Sequence, residues 1–254
     1  MHQPTIRVLE ILESVVGSGE GKRLTDFSSE LQIPKSTLVP ILQTLCGYRY
    51  LTQDDMGRYQ PGTALFSLGS AFSGNFPTLN FVHQQLEQLV EELGETCYFG
   101  ALEDGYVLYL DKVDSRQPLR MLTSIGRRMP AYATSIGKAL LSDMVEKELQ
   151  SLYPEGLKAL TAHTITDVEV LAKQLGLARE EGYAWETEES MEHIRCFAVP
   201  IRKHGRIVAA VSVAIPVFRF DKEKKDHTIV TLQKAAAQIS GTIEMTDAHF
   251  GNLF

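Results

Sequence analysis

Apolar and polar positions between Leu24 and Leu51 follow the pattern of two short helices joined by a tight turn. Thr25 is a suitable N-cap for the first helix, because its hydroxyl can accept a hydrogen bond from a free first-turn amide. Phe27 and Leu31 lie four residues apart on one face, and Pro34 can open the second helix because that position needs no N–H. The apolar stripe of the second helix consists of Leu38, Ile41, Leu42 and Leu45.

The residues after the second helix predict a β-hairpin. Positions 48–52 alternate like a strand, positions 58–60 can pair back onto them, and the turn-forming residues 53–57 lie between. The polar face of the second helix carries Lys35, Ser36, Thr37, Gln43 and Thr44. Two short helices followed by such a hairpin are typical of a winged helix-turn-helix, whose second helix enters the DNA major groove. An ordinary helical pair with a hairpin and no DNA function is the alternative.

Further apolar periodicities extend this unit in both directions. Residues 4–16 predict a helix that packs under the pair, and residues 64–72 predict a helix that is too hydrophobic for a free linker. The turn-rich residues 73–77 mark a boundary. We therefore expect a DNA-binding domain over residues 1–62, a linker helix over 63–77 and a second domain over 78–254.

The second half of the chain mixes helical and strand patterns. Residues 81–93 predict an amphipathic helix, and two later strand pairs flank turns at Asp104-Gly105 and His204-Gly205. Strands are predicted over 96–102, 106–113, 119–122, 196–202 and 206–215, and helices over 137–141, 145–152, 168–182 (with Asp167 as N-cap) and 221–245. Strand pairs interleaved with helices predict an α+β domain with an antiparallel sheet.

The net charge of −7 argues against a general affinity for nucleic acid, because DNA-binding domains usually carry a basic surface. Residues 31–53, however, contain Lys35 and Arg49 and no acidic residue. The face that would meet phosphate is thus locally positive, although only thinly. We expect modest affinity for each DNA-binding head and a dependence on pairing two heads.

Cys46, Cys97 and Cys196 are an odd number of cysteines without metal-ligand spacing, so neither a disulfide framework nor a metal site is expected. The sequence has no Gly-rich phosphate loop, and we expect no cofactor. Its first residues lack the pattern of a signal peptide, and no apolar run approaches the roughly 18 residues that a membrane helix needs. These features predict a soluble, cytoplasmic protein.

Seven segments follow one another along almost the whole chain. They are IRVLEIL, LTDFSSELQIPKSTL, GRYQPGTALFSLG, YLDKVDS, GRRMPAYATSIGKALL, EEGYAWETEESMEHIRCFAVPI and RIVAAVSVAIP. In this order and spacing the chain resembles the IclR-type transcriptional regulators. The resemblance implies a winged helix-turn-helix joined by a linker helix to a GAF-like effector-binding domain with a central antiparallel sheet. It also implies a homodimer or homotetramer that binds operator DNA and a small metabolite, and that represses or activates nearby operons.

The recognition helix departs from the family pattern. Members commonly carry a His-Arg pair where this chain has Val39 and Pro40, so the arginine that would contact DNA is missing. An interior proline costs a helix roughly 3 kcal/mol or more. Pro40 either kinks the helix, delays its regular part, or faces the core and merely shapes it. The residues that we expect to contact DNA are Thr25, Lys35, Ser36, Thr37, Val39, Arg58 and Tyr59.

Positions that match the family's effector pocket are Met121, Met129, Ser135, Ile136, Glu186, Ile194, Cys196 and Ser212. A mainly apolar wall with a few polar groups is typical of small-molecule sites. Free amides at the helix start near Ser135 attract carboxylates, whereas Glu186 disfavours a second one. We therefore expect a small organic acid with fewer than two carboxylates, or a hydroxylated or aromatic metabolite. Tyr132 replaces the family's histidine and is neutral at pH 7, which weakens any pH-linked ligand contact there.

Two other functions are alternatives to that of a regulator. A sensor that has lost DNA binding would account for Pro40 and for the thin positive charge. A cysteine hydrolase would need His193 to activate Cys196, but a three-residue separation at a strand entry usually points side chains apart. Buried cysteine is commonly just a small apolar residue, so we expect no enzymatic activity.

Overall fold

The protein forms two compact units, Met1–Phe76 and Pro77–Phe254, in a computed structural model. The structure describes residues 1–16, 18, 20–74, 77–117 and 124–245. Each unit has a hydrophobic core of its own. Within these ranges no helix has both the length and the apolar character needed to cross a membrane.

Three helices and a two-stranded hairpin, followed by a fourth helix, make up the first unit. Phe27, Leu38 and Leu42 are fully buried at its centre, and Ile11 and Val15 of the first helix pack onto them. The elements are α1 Gln3–Val16, α2 Leu24–Glu30, α3 Lys35–Gly47, β1 Leu51–Gln53, β2 Tyr59–Pro61 and α4 Thr63–Gly74. The predicted winged helix-turn-helix is thereby confirmed.

Two predicted helix starts in this unit are wrong, that of α2 by two residues and that of α3 by one. Thr25 is not the N-cap of α2, because the helix begins one residue earlier. Its first turn is held by Asp26, whose Oδ2 accepts a hydrogen bond from the backbone N–H of Arg23 at 2.8 Å. A carboxylate is a stronger acceptor for such an amide than a hydroxyl. Pro34 precedes α3 rather than opening it, and its carbonyl accepts from the N–H of Leu38 at 3.1 Å.

A six-stranded antiparallel sheet forms the centre of the second unit, with strands in the order β5-β4-β3-β8-β7-β6. Its strands are β3 Thr96–Glu103, β4 Tyr106–Val113, β5 Arg128–Pro130, β6 Ala184–Thr187, β7 Ile194–Lys203 and β8 Arg206–Pro216. Its helices are α5 Pro77–Leu93, α6 Ser135–Leu141, α7 Glu146–Leu152, α8 Val168–Glu181 and α9 Lys222–Met245. The α+β class and the central antiparallel sheet are therefore confirmed.

The pleat of the sheet separates two cores, because successive side chains of a strand point to opposite faces. Along β7, Cys196 and Ala198 belong to one core, whereas Phe197 and Val199 belong to the other. The first face, termed the α6 face, is covered by α6, α7 and α8. The second, termed the α9 face, is covered by α5 and α9. Any residue of β6, β7 or β8 can thus be assigned to a face from its register.

The structure also contains strands that the sequence pattern does not predict. β6 is only four residues long, and Glu186 occupies one of its core-facing positions, which hides the alternation of polar and apolar residues. The predicted strand over 119–122 lies outside the described residues. β5, which was not predicted, pairs with β4. Asp167 is confirmed as the N-cap of α8, because its Oδ1 accepts from the N–H groups of Glu169 and Val170 at 2.8 and 3.2 Å.

Candidate functional site

Three neighbouring strands bring together four of the residues predicted to hold an effector. Glu186 of β6 lies opposite Cys196 of β7, and Cys196 lies opposite Ala214 of β8. Ile194 and Ser212 lie two residues from members of this row and so point to the same α6 face. All four predicted residues are buried. The register of the sheet therefore places residues that are distant in sequence in one cluster.

The helix α6 brings two more predicted residues to this face. Its start is set by Thr134, whose Oγ1 accepts a hydrogen bond from the N–H of Gly137 at 3.1 Å. Ser135 and Ile136 follow directly and are 2% and 1% exposed. Met129 of β5 packs against the same hydrophobic core, whereas Met121 lies outside the described residues.

The polar centre of this cluster consists of Glu186, Cys196 and Ser135. The Glu186 carboxyl is fully buried, and it accepts hydrogen bonds from the Glu189 N–H at 2.8 Å and from the Ser190 hydroxyl at 3.0 Å. Burial raises the pKa of this carboxyl above its usual range. A negatively charged ligand group placed beside it would be disfavoured for the same reason.

Cys196 is not prepared for nucleophilic chemistry. Burial raises the pKa of its thiol well above the usual value, and the adjacent Glu186 carboxylate raises it further. A reactive cysteine needs the opposite, because the thiolate is the nucleophile. The side chain of His193 is 86% exposed, and it lies beside Glu188 rather than in the core that holds Cys196. The structure therefore does not form the Cys-His pair that a hydrolase would require.

Two tyrosines on the α6 face were not among the predicted site residues. Tyr98 of β3 lies opposite Ser212, and its ring meets that of Tyr109 edge-on, with centroids 5.4 Å apart. Burial, and then the proximity of Cys196, raises the pKa of Tyr109. Side chains alternate between the two faces along each strand, and both tyrosines lie at positions that point to the α6 face. This two-residue alternation is the sequence signal that could have placed them together.

Tyr132, which replaces the family's histidine, has a structural role. Its hydroxyl donates to the carbonyl of Lys158 at 2.8 Å and accepts from the N–H of the same residue at 3.0 Å. Its ring packs edge-on against Tyr153. The side chain thus anchors the segment that precedes α8.

A buried ion pair lies next to the polar cluster and was not predicted either. Lys138 of α6 is fully buried; its ammonium contacts the Glu189 carboxylate and donates to Oε1 of Gln174 at 2.7 Å. Burial lowers the pKa of Lys138, while Glu189 opposes that shift. The Glu189 carbonyl also accepts from the Thr164 hydroxyl at 2.7 Å. The loop between β6 and β7, which supplies two of the donors to Glu186, is therefore held in place by these contacts.

In the first unit, α3 presents a polar face opposite its buried stripe. Lys35, Ser36 and Val39 are exposed, Thr37 is half-buried, and Pro40 is exposed within a continuous helix. The alternative that Pro40 faces the core is therefore wrong, as is the alternative that the helix begins after it. The missing N–H of Pro40 leaves the carbonyl of Ser36 without its usual i→i−4 donor. Ser36 and Pro40 are both exposed residues.

The other residues predicted to contact DNA have partners within the unit. The Arg58 guanidinium forms an exposed ion pair with Glu20 at 3.2 Å. Tyr59 of β2 packs its ring edge-on against Phe27, with centroids 6.0 Å apart. Thr25 lies in the first turn of α2, with its hydroxyl 3.3 Å from Oδ1 of Asp26. Lys35 and Ser36 are thus the predicted contacts with the least local competition.

No His, Cys, Asp and Glu side chains in the described ranges form a group of three or more that could hold a metal ion.

Comparison with protein-family models gives two matches. The IclR helix-turn-helix domain matches residues 5–55, and the bacterial transcriptional regulator IclR C-terminal domain matches residues 75–241. The transcriptional regulator KdgR of Escherichia coli (strain K12) is 33% identical over 249 residues, which cover 96% of this chain and 94% of KdgR. XynR of the same strain is 31% identical over 242 residues, which cover 94% of this chain and 96% of XynR.

Solved structures show the same architecture. IclR of Thermotoga maritima has a TM-score of 0.74 and 28% identity, and the match covers 96% of this chain and all of that one (100%). An IclR homologue of Microbacterium hydrocarbonoxydans in complex with 4-hydroxybenzoate has a TM-score of 0.81 and 22% identity, covering 96% and 100%, and shows the fold alone. Since the family models span both units and the relatives span almost the whole chain, this protein belongs to the IclR family of bacterial transcriptional regulators.

Proposed function

We propose that this regulator binds operator DNA as a homodimer or homotetramer through α3 and the wing, and that a small metabolite bound on the α6 face switches it. The observation that supports an effector site is the meeting of Ser135, Glu186 and Cys196, three buried polar groups from three different elements. Around them the sheet carries small side chains, namely those of Ala184, Ala198, Ser212 and Ala214. Side chains of this size would allow a compact ligand to approach the strands closely.

The ligand that suits this cluster is a small organic acid or a hydroxylated or aromatic compound with fewer than two carboxylates. Ser135 offers a hydroxyl donor, and Glu186 offers an acceptor to a ligand hydroxyl. A second ligand carboxylate near Glu186 would add negative charge where burial already disfavours it. The 4-hydroxybenzoate bound by the Microbacterium homologue is a compound of this class.

The proposed switch is a shift between two arrangements of the subunits. Helix α4 leaves Phe66 and Leu68 exposed by 77% and 56%, which gives two copies an apolar surface through which to pack. An effector that binds one arrangement better than the other would change the spacing of two DNA-binding heads. Operator affinity would then change by the difference between the two effector affinities.

Replacing Ser135 with alanine should weaken effector binding to the full chain. Calorimetry with a panel of monocarboxylates, hydroxylated aromatic acids and dicarboxylates identifies the ligand. A hydrogen bond to a charged group contributes about 1.5–3 kcal/mol, so we expect Ser135→Ala to raise its Kd about tenfold or more.

Ser142→Ala is the matched control for this experiment. Ser142 is equally buried at the other end of α6, but its hydroxyl donates to the carbonyl of Ala139 at 2.8 Å. Its loss should leave the effector Kd unchanged. The absence of any ligand in the panel, or an equal loss of affinity in both variants, would contradict the proposed site.

Replacing Lys35 with glutamine should weaken DNA binding and reduce its salt dependence. Lys35 is exposed at the start of α3 and has no ion pair with a described residue, so it is free to contact a phosphate. Loss of one phosphate contact lowers the slope of log K against log salt by about 1 for each bound head. Fluorescence anisotropy with a fragment from upstream of the protein's own gene measures this slope.

Lys173→Gln, which removes an exposed lysine of α8 in the second unit, is the control and should leave the slope unchanged. If neither the unaltered protein nor the variants bind the fragment, the alternative function is favoured, in which the protein senses a metabolite but has lost DNA binding. The proline inside α3 is the observation that supports that alternative.

A further inference from the structure

A cavity lies on the α9 face of the same two strands that carry Glu186 and Cys196. Its volume is about 610 Å³, within the range of roughly 300–1,000 Å³ that is usual for ligand sites. Trp185 of β6 and Arg195 of β7 line it, and each is the immediate neighbour of a residue on the α6 face. Because successive side chains point to opposite sides, this cavity is separate from the cluster around Ser135.

Aromatic rings form much of its wall. Tyr183 and Trp185 lie with ring centroids 5.8 Å apart, and both are half-buried. Phe220, just before α9, stacks on Phe197 at 5.6 Å. A half-buried ring leaves part of its flat surface exposed, and another planar group can stack on that part.

Three cations face this aromatic wall. The Arg195 guanidinium lies 4.3 Å above the centre of the Phe220 ring, and its Nε donates to the Thr187 hydroxyl at 2.8 Å. Lys225 lies 5.7 Å above the Tyr183 ring, and Lys222 also lines the cavity. None of these three cations forms a salt bridge with a residue in the described part of the chain. The terminal guanidinium nitrogens of Arg195 are therefore available to a ligand.

The two acidic residues at the cavity already have partners. Asp221 accepts a hydrogen bond from the N–H of Lys224 at 2.7 Å, in the first turn of α9. Glu181 is hydrogen-bonded to Tyr183. These hydrogen bonds do not neutralise the two carboxylates, so the three cations and two anions that line the cavity give it a net formal charge of +1, whereas the whole chain is negative.

We propose that this cavity is a second ligand site, which binds a planar aromatic carboxylate. The ring stacks on Trp185 and packs edge-on against Tyr183, whose plane is inclined by 47° to that of Trp185. The carboxylate pairs with Arg195, whose planar guanidinium suits a carboxylate better than an ammonium does. Lys222 and Lys225 add positive charge at the same end. This site does not depend on the proposed effector site, because no side chain is shared between the two.

The experiment uses Trp185, which is the only tryptophan in the chain and therefore a direct reporter. The full-length protein is titrated with benzoate, with benzamide and with cyclohexanecarboxylate while tryptophan emission is recorded. We expect a saturable change with benzoate, and apparent Kd values at least tenfold higher for the amide, which lacks the charge, and for the non-aromatic acid, which cannot stack.

Arg195→Gln should raise the benzoate Kd, read from the midpoint of the titration, at least tenfold. Lys225→Gln provides a second variant if Arg195→Gln does not fold. Arg206→Gln, at an exposed position in β8, should have no effect. Ser135→Ala should also preserve the response, because it alters only the α6 face. The proposal is overturned if benzoate causes no saturable change, if Ser135→Ala abolishes the response, or if emission changes with protein concentration alone, which would mean that a second copy covers the cavity.

Discussion

Replacing Lys138 with methionine should lower the free energy of unfolding by about 3–5 kcal/mol, because it leaves the buried Glu189 carboxylate without its counter-charge. The side chains of lysine and methionine are similar in length, so the loss of charge is the main change. Gln174 would also lose its contact with the ammonium. Urea denaturation of the full chain, followed by circular dichroism, measures the difference.

Two further variants separate charge from packing. Lys138→Met combined with Glu189→Gln should recover at least half of the loss, because no unpaired charge is then buried. Lys173→Met breaks an exposed ion pair with Glu169 in α8 and should change stability by about 0.5 kcal/mol or less. Equal losses in Lys138→Met and Lys173→Met would show that the buried pair contributes no more than a surface pair does.

Replacing Gly137 with alanine should be the most damaging single-methyl substitution in the second unit. A Cβ at this position would lie 2.2 Å from the carbonyl oxygen of Ala131 and 2.3 Å from its Cα. Because these are backbone atoms, the clash cannot be relieved by a side-chain rotation. We expect a loss of about 3 kcal/mol or more, at the upper end of what overpacking usually costs. Thermal and urea denaturation both report it.

Gly176→Ala tests the same change where there is space. Gly176 lies within α8, and a Cβ there would have no neighbour within 4 Å. Alanine should therefore stabilise the protein by about 0.5–1 kcal/mol, because glycine is costly inside a helix. Opposite signs for the two substitutions are expected. The absence of a loss at Gly137 would mean that α6 is not packed on Ala131 as described, and a loss at Gly176 would mean that its surroundings in α8 are not open.

Much of the fold could be predicted because its longer elements have clear periodicity. The three helices and the wing of the first unit follow from apolar spacing, as do the strand pairs around Gly105 and Gly205. β6 could not be predicted in the same way, because Glu186 occupies a buried position in a strand of four residues. The start of α2 was misplaced since Thr25 and Asp26 are both competent acceptors, and only the structure shows which one bonds the free amide.

The residues of the candidate sites could be predicted from the sequence to different degrees. The resemblance to the family predicted Ser135, Glu186 and Cys196 position by position. The sheet register brings Glu186 and Cys196 together, and α6 places Ser135 on the same face. Lys138 and Glu189, in contrast, are 51 residues apart, and an ion pair over such a distance leaves no local pattern. The cavity around Trp185 also leaves no local pattern in the sequence, because the residues that line it come from two strands and from the residues that begin α9.

The buried thiol of Cys196 has a consequence for how quickly the response to a metabolite could be reversed. A thiol that stays protonated reacts slowly with oxidants and electrophiles, so a metabolite bound at the proposed effector site would be held only by reversible forces. The occupancy of the proposed site would then follow the present concentration of the metabolite and retain no chemical record of earlier exposure. Transcription controlled in this way can return to its starting level as soon as the metabolite is consumed, without repair or replacement of the protein.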